Sequence, residues 1–166
     1  MEIRRAYRSD IDAIMPIYES AKAFMRACGN STQWADGYPD RATILADIDA
    51  GYCHVGIDNE GNIAMVFAFI IGEDPTYATI EDGQWPDNSP YGTIHRMASS
   101  GAHSGMLRAC TEYCLGKIDT LRLDTHADNI PMQKAARATG YVRCGIIICR
   151  DGTPRIAYQL SRPHKT

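Results

Sequence analysis

The stretch from Tyr91 to Tyr141 constrains the fold more than any other part of this chain. It holds an apolar strand (Tyr91–Ala98), a glycine-bearing turn (Ser99–Ser104), a helix (Gly105–Gly116), a second strand (Thr120–His126) and a second helix (Ile130–Thr139) opening at Asn129. A strand–helix–strand order of this length forces a right-handed parallel crossover, and the turn after the first strand sets backbone N–H groups at a helix N-terminus, where a phosphate can sit. Pro131 suits a first helical turn and Gly140 a helix stop.

The remaining chain surrounds this unit with antiparallel elements. Glu2–Tyr7 reads as a strand, and Ser9-Asp10-Ile11-Asp12 as a helix start in which the serine caps. Ile11, Ile14, Met15, Tyr18, Ala21 and Met25 then recur at helical spacing, with Pro16 a candidate kink. A turn-rich aromatic link, Gln33–Pro39, leads to a second helix, Asp40–Ala50. Gly51–Asp58 and Ile63–Gly72 form a hairpin over Asn59-Glu60-Gly61-Asn62, and its second strand is apolar on both faces, which predicts cover on both sides. A long connection, Glu73–Pro90, follows, and loops of such length are often functional. Tyr141–Arg150, the turn Asp151-Gly152 and Thr153–Leu160 make a last hairpin before a polar tail.

At 166 residues the chain is expected to form one domain, 1–166. A net charge of −3 gives no basic field for nucleic acid, and no stretch approaches the length of a membrane span, so a cytoplasmic protein without nucleic-acid or membrane partners is expected. Six scattered cysteines suit small buried side chains, all reduced, better than a disulfide frame.

The order β-α-α-β-β-β-α-β-α-β-β, with Tyr91-Gly92-Thr93-Ile94-His95-Arg96-Met97-Ala98, Leu123-Asp124-Thr125-His126-Ala127-Asp128-Asn129 and Gly140-Tyr141, resembles the GNAT superfamily of acyl-CoA N-acyltransferases over essentially the whole chain. The resemblance implies an α/β (α+β) fold: a mixed, mostly antiparallel seven-stranded sheet whose parallel fourth and fifth strands splay apart, with helices on both faces. It implies acetyl-CoA as cosubstrate, held by Met97, Ala98, the turn Gly101, Ala102, His103, Ser104, Gly105 and Met106, and by Asn129. The acceptor would be a small-molecule or peptide amine, and a homodimer is an assembly the resemblance allows. Two departures stand out. The family's loop usually opens on a basic or glutamine residue where this chain has Ser99-Ser100, and the tyrosine that many members place seven residues after the asparagine is Ala136 here.

Acyl transfer to an amine needs a base for the ammonium proton, because a free alkyl amine is almost wholly protonated at neutral pH. The candidates are Glu73, His95 and Asp124, with His126 beside them. Tyr77, Tyr91 and Tyr141 are the phenols available as acids, and the backbone near Met97 and Ala98 can polarise the thioester carbonyl. Trp34 and Tyr77 combine aromatic surface with nearby carboxylates, a mixture that attracts a cationic amine. Asp124, if buried, would need His95 or Arg96 as partner. Two other readings compete: a catalytically inactive module of the same fold, and a metal-dependent hydrolase in which Asp124, His126 and Asp128 share one face of an extended strand, although Asp128 also fits as the cap of the next helix.

Overall fold

Ile63–Ile71 (β3) contains no polar residue, and both of its faces are covered. Met65, Phe67 and Phe69 enter one core, while Val66 enters another on the opposite side of the sheet. The computed structural model describes residues 1–101 and 103–163. Around β3 it places β1 (Glu2–Arg5), α1 (Ile11–Ala27), α2 (Arg41–Asp49), β2 (Cys53–Ile57), β4 (Gly92–Ser99), α3 (Met106–Leu115), β5 (Thr120–Thr125), α4 (Ile130–Thr139), β6 (Val142–Ile148) and β7 (Pro154–Ser161). The seven strands make a single sheet in the order β1-β2-β3-β4-β5-β7-β6, antiparallel except for β4 and β5.

On one face α3 and α4 cover a core of Met65, Phe67, Phe69, Ile94, Leu107, Cys110, Leu121, Leu123 and Tyr141. On the other, α1 and α2 cover Ile14, Tyr18, Ile44, Val55 and Val66. A third cluster, Tyr77, Tyr91, Ile147 and Ala157, fills that same face under the long connection between β3 and β4. This connection is held down at several points. Glu81 exchanges two backbone hydrogen bonds with Ile146 of β6 (2.8 and 2.7 Å), and the Trp85 indole N–H donates to the Tyr77 carbonyl at 2.9 Å. The guanidinium of Arg122, 4% exposed, lies 3.9 Å over the Trp85 ring and 4.0 Å over Tyr91. Its Nε donates to Gln159 and one Nη to the Asp87 carbonyl, so the charge is satisfied as well as stacked.

Helix starts differ from the sequence reading at two places. Ser9 does not cap; the Asp10 carboxylate accepts the Tyr7 N–H and a fork from Arg4, closing a short 3₁₀ turn ahead of α1. Asp128 does not cap α4 either. Asn129 does, its side-chain oxygen accepting from Met132 N, because the chain turns away from the strand direction right after Thr125. Pro16 lies inside α1 without ending it. All six cysteines are free, and burial pushes the Cys53 thiol up to about 12. No helix among the described residues is long and apolar enough to cross a membrane.

Candidate active site

β4 and β5 pair only at Gly92↔Leu121 and Thr93↔Arg122. Past these residues β4 stays on β3 as far as Ser99 and β5 stays on β7 as far as Thr125, so the two part company and leave a wedge in mid-sheet. Among the described residues the backbone groups that face this wedge have no strand partner, a costly condition in a buried sheet and a ready one for a ligand carrying amides.

Along the wedge β4 carries a bulge. Arg96 and Met97 together stand opposite Phe67, and Arg96 has a left-handed φ of 48°. Since Ser100 N–H bonds to Ala64 on the β3 side, strand alternation turns the Met97 N–H toward the wedge. At the end of β4, Gly101 and Gly105 take φ of 80° and 73°, and a Cβ at either would meet nothing within 4 Å. Helix α3 starts there without a side-chain cap, unlike α2 and α4, and its first backbone bond runs from Ala109 to Gly105. Among the described residues the N–H groups of Met106, Leu107 and Arg108 have no helical partner, and they lie at the positive end of the helix. The start of α3, with Gly101 and Gly105 beside it, could hold a diphosphate; His103, between the two glycines, pairs with Asp58 at 3.3 Å. Ala102 lies outside the described residues.

The α1/α2 face of the wedge holds the titratable groups. His95 Nε2 lies 3.0 Å from Asp74, whose other oxygen accepts from Thr76 N and Oγ1, while Asp74 N–H donates to the Tyr91 hydroxyl. Burial alone would raise the Asp74 carboxyl; the donors His95 and Thr76 outweigh it and hold the carboxyl well below the usual range. An ionised carboxylate only accepts, so Nε2 carries the proton of a neutral His95 and Nδ1 keeps its lone pair. That Nδ1 has no hydrogen-bond partner among the described residues, and the side chain is 22% exposed. Next to it the Tyr77 hydroxyl donates to Asp124 at 2.7 Å, with the Tyr77 and His95 rings 6.4 Å apart. Burial holds the Asp124 carboxyl above its ordinary value, against the pull of the Tyr77 hydroxyl and His95.

The expected partners are therefore exchanged. Asp124 takes Tyr77 instead of His95 or Arg96, His95 takes Asp74, and Arg96 takes Asp47. Glu73 is exposed and makes no side-chain hydrogen bond among the described residues. Tyr77 is buried, offering its hydroxyl rather than an open ring face, whereas Trp34 is part-exposed and edge-on to Tyr18 at 5.6 Å. Tyr141 is a core residue bonded to Thr111, and burial pushes its phenol up. His126 accepts from Asp128 N–H and donates to Thr32, off the strand, so Asp124, His126 and Asp128 share no extended face; no group of three metal-ligating side chains gathers among the described residues.

Sequence reasoning missed Asp74, Asp47 and Gln33. The Gln33 side-chain oxygen accepts from Asn30, Asn129 and His126 N–H, tying the α1–α2 link across the wedge mouth to the cap of α4. For Asp74 a signal existed: Asp-Pro-Thr is a side-chain-closed turn, which fixes the carboxylate that receives His95.

No protein-family model matches the sequence, and no curated protein does. Among solved structures the chain is similar to a GNAT-family acetyltransferase from Streptococcus agalactiae 2603, with a TM-score of 0.90 and 37% identity over 98% of this chain and 96% of that one. A putative acetyltransferase from Staphylococcus aureus MU50 shares the fold at TM-score 0.70 and 23% identity, over 97% and 99% of the two chains. So does AAC(6')-Ib, solved in complex with ribostamycin and coenzyme A, at TM-score 0.63 and 16% identity over 96% and 92%. A near-complete match at 37% identity, on a sheet that opens between β4 and β5, places this chain in the GNAT family of acetyltransferases, whose chemistry is acyl transfer.

Proposed function

We propose that the protein transfers an acetyl group from acetyl-CoA to a primary amine. The observation that carries this reading is the parting of β4 and β5 after two residue pairs, with an uncapped helix start at one end of the wedge and two acid–base pairs on its other face. The coenzyme A bound by AAC(6')-Ib supports the donor at the level of the fold.

The N–H groups at the start of α3, with Gly101 and Gly105 keeping the approach open, would receive the diphosphate, and the free edge of β4 the amide arm. Acetyl-CoA, when bound, supplies the activated acyl group. Asp124, part-exposed and oriented by Tyr77, attracts the ammonium form of the acceptor; His95 Nδ1 takes its proton, and Asp74 stabilises the imidazolium that results. The neutral amine attacks the carbonyl, whose oxygen the Met97 N–H stabilises as charge develops there. The C–N bond forms and the C–S bond breaks; the nitrogen sheds its second proton to the departing thiolate as it becomes an amide, and the proton that His95 collected passes to solvent. Trp34 borders the acceptor side, with Glu73 at its rim.

Incubating the protein with acetyl-CoA and a panel of amines (alkylamines, amino acids, polyamines, aminoglycosides, peptide N-termini) should release free thiol and yield an acetylated product in at least one case. Absence of both, together with no thermal shift at millimolar CoA, would overturn the reading.

Asp124→Asn separates binding from folding. The Asp124 carboxyl is held above its ordinary value, so the native state binds that proton more tightly than the unfolded chain. Stability from this group therefore falls as pH rises through the ordinary carboxylate value toward the native one, and stays low above it. Asparagine is always neutral and still accepts from Tyr77. The variant should be as stable as wild type or more so at pH 7, the difference closing in acid, while KM for the amine rises about 10- to 100-fold, the equivalent of one charge-assisted hydrogen bond.

A further inference from the structure

Arg96 is out of place by local rules. A non-glycine residue at φ 48° inside a strand is sterically disfavoured, and glycine would adopt that conformation freely. Arginine is instead fixed from three elements. The Tyr18 hydroxyl of α1 donates to its carbonyl at 2.6 Å. The carboxylate of Asp47, on α2, receives Nε and Nη2 as a fork, both at 2.8 Å, and Nη1 donates to the Tyr38 hydroxyl of the α1–α2 link at 3.1 Å. The two charged side chains are only 17% and 11% exposed.

A largely buried ion pair is a weak source of stability, because desolvation offsets attraction. What a forked pair supplies is direction. The residue it orients is the one that sets where the following N–H points, and that N–H belongs to Met97, facing the wedge. We propose that Asp47 is a positioning residue for acyl transfer: through its fork on Arg96 it locks the β4 bulge so that the Met97 N–H is aimed at the acyl carbonyl oxygen. Tyr38 joins the same lock to the link that borders the acceptor side. The inference rests on the acyl-transfer reading and on Met97 as the carbonyl's donor.

The test uses the full chain and the variants Asp47→Asn, Arg96→Gly and Arg96→Lys, with two readouts. The first is the infrared carbonyl band of carbon-13-labelled acetyl-CoA bound without acceptor, which reports polarisation whether or not turnover occurs. In wild type this band should move to lower frequency than in free acetyl-CoA, and in all three variants it should return toward the free value. The second is kcat with whichever amine wild type accepts, expected to fall about 10- to 100-fold, toward the loss seen when an oxyanion donor is removed. The dissociation constant for CoA should change no more than about threefold. Arg96→Gly keeps the chain free of backbone strain and so guards against misfolding as the cause, while Arg96→Lys keeps the charge without the fork and should not rescue. A folded Arg96→Gly or Asp47→Asn protein with the wild-type band and wild-type kcat overturns the positioning role alone. A shifted wild-type band lost in the variants, with no amine acetylated, upholds the lock and counts instead against the amine-acceptor reading.

Discussion

Replacing His95 by alanine should lower kcat about 100- to 1000-fold at neutral pH, with little change in affinity for CoA. Asp74 accepts from His95 and from two donors of Thr76, so its carboxylate faces His95 Nε2 and leaves Nδ1 as the ring nitrogen that has no hydrogen-bond partner among the described residues. Removing the imidazole leaves the acceptor's proton to solvent, and activity should recover as pH is raised, where the amine deprotonates unaided. Asp74→Asn keeps the ring but no longer dictates which nitrogen bears the proton; an intermediate loss is expected. Glu73→Gln should stay near wild type, since Glu73 engages neither group. Full activity of His95→Ala at pH 7 would move the base elsewhere, and a collapse of Glu73→Gln would move it there. The pair also predicts an acid dependence of folding. Because the Asp74 carboxyl is held low, its stabilisation is present above the ordinary carboxylate value and is lost as pH falls from that value through the native one. Asp74→Asn should therefore lower Tm at pH 7 and converge with wild type in strong acid.

Gly145→Ala should destabilise the protein strongly, by about 3–5 kcal/mol in urea denaturation. A Cβ there would stand 2.4 Å from the Glu81 carbonyl oxygen and 2.8 Å from the Ile80 side chain. The contact is with backbone, so relief requires the β3–β4 connection to lift off β6 and lose both Glu81–Ile146 hydrogen bonds, each worth about 1 kcal/mol, on top of about 1–3 kcal/mol of overpacking. Gly83 faces the same crossing from the other side, its Cβ 1.9 Å from the Cys144 carbonyl oxygen, and Gly83→Ala should behave alike. Gly152→Ala is the control: at φ 81° with nothing within 4 Å of its Cβ, it carries only the left-handed cost of about 1–2 kcal/mol. A Gly145→Ala protein as stable as the control would show that the connection is not pinned at this point.

Local pattern made much of this visible in the sequence. The apolar run of β3, the Asp151-Gly152 turn, and Pro131 and Gly140 around α4 all rest on neighbours within a few residues and stand where local pattern puts them, and the parallel pairing of β4 with β5 follows from the strand–helix–strand order between them. What escaped depends on partners far along the chain. Nothing in Tyr91–Ala98 marks Arg96 as left-handed, because the cause is Asp47, 49 residues away. Asp124 looked to the adjacent strand for a partner and found Tyr77, carried in by a connection whose path no periodicity describes. Between Asp128 and Asn129 both residues can cap, and the choice falls on where the chain leaves β5, a matter of sheet geometry.

The stacking of Arg122 between Trp85 and Tyr91 bears on how stiff the β3–β4 connection is. A connection running from Glu73 to Pro90 would ordinarily sample many shapes and become ordered only around a ligand, at a cost of about 1–2 kcal/mol per fixed residue. Here the guanidinium, the Trp85 indole bond and the Glu81 bridge freeze that segment as the chain folds. Its ordering entropy is thus lost before any ligand arrives, and an acceptor that entered beside it, as in the proposed function, would meet a stiff wall on this flank, one that rewards molecules already of the right shape and cannot mould itself to others.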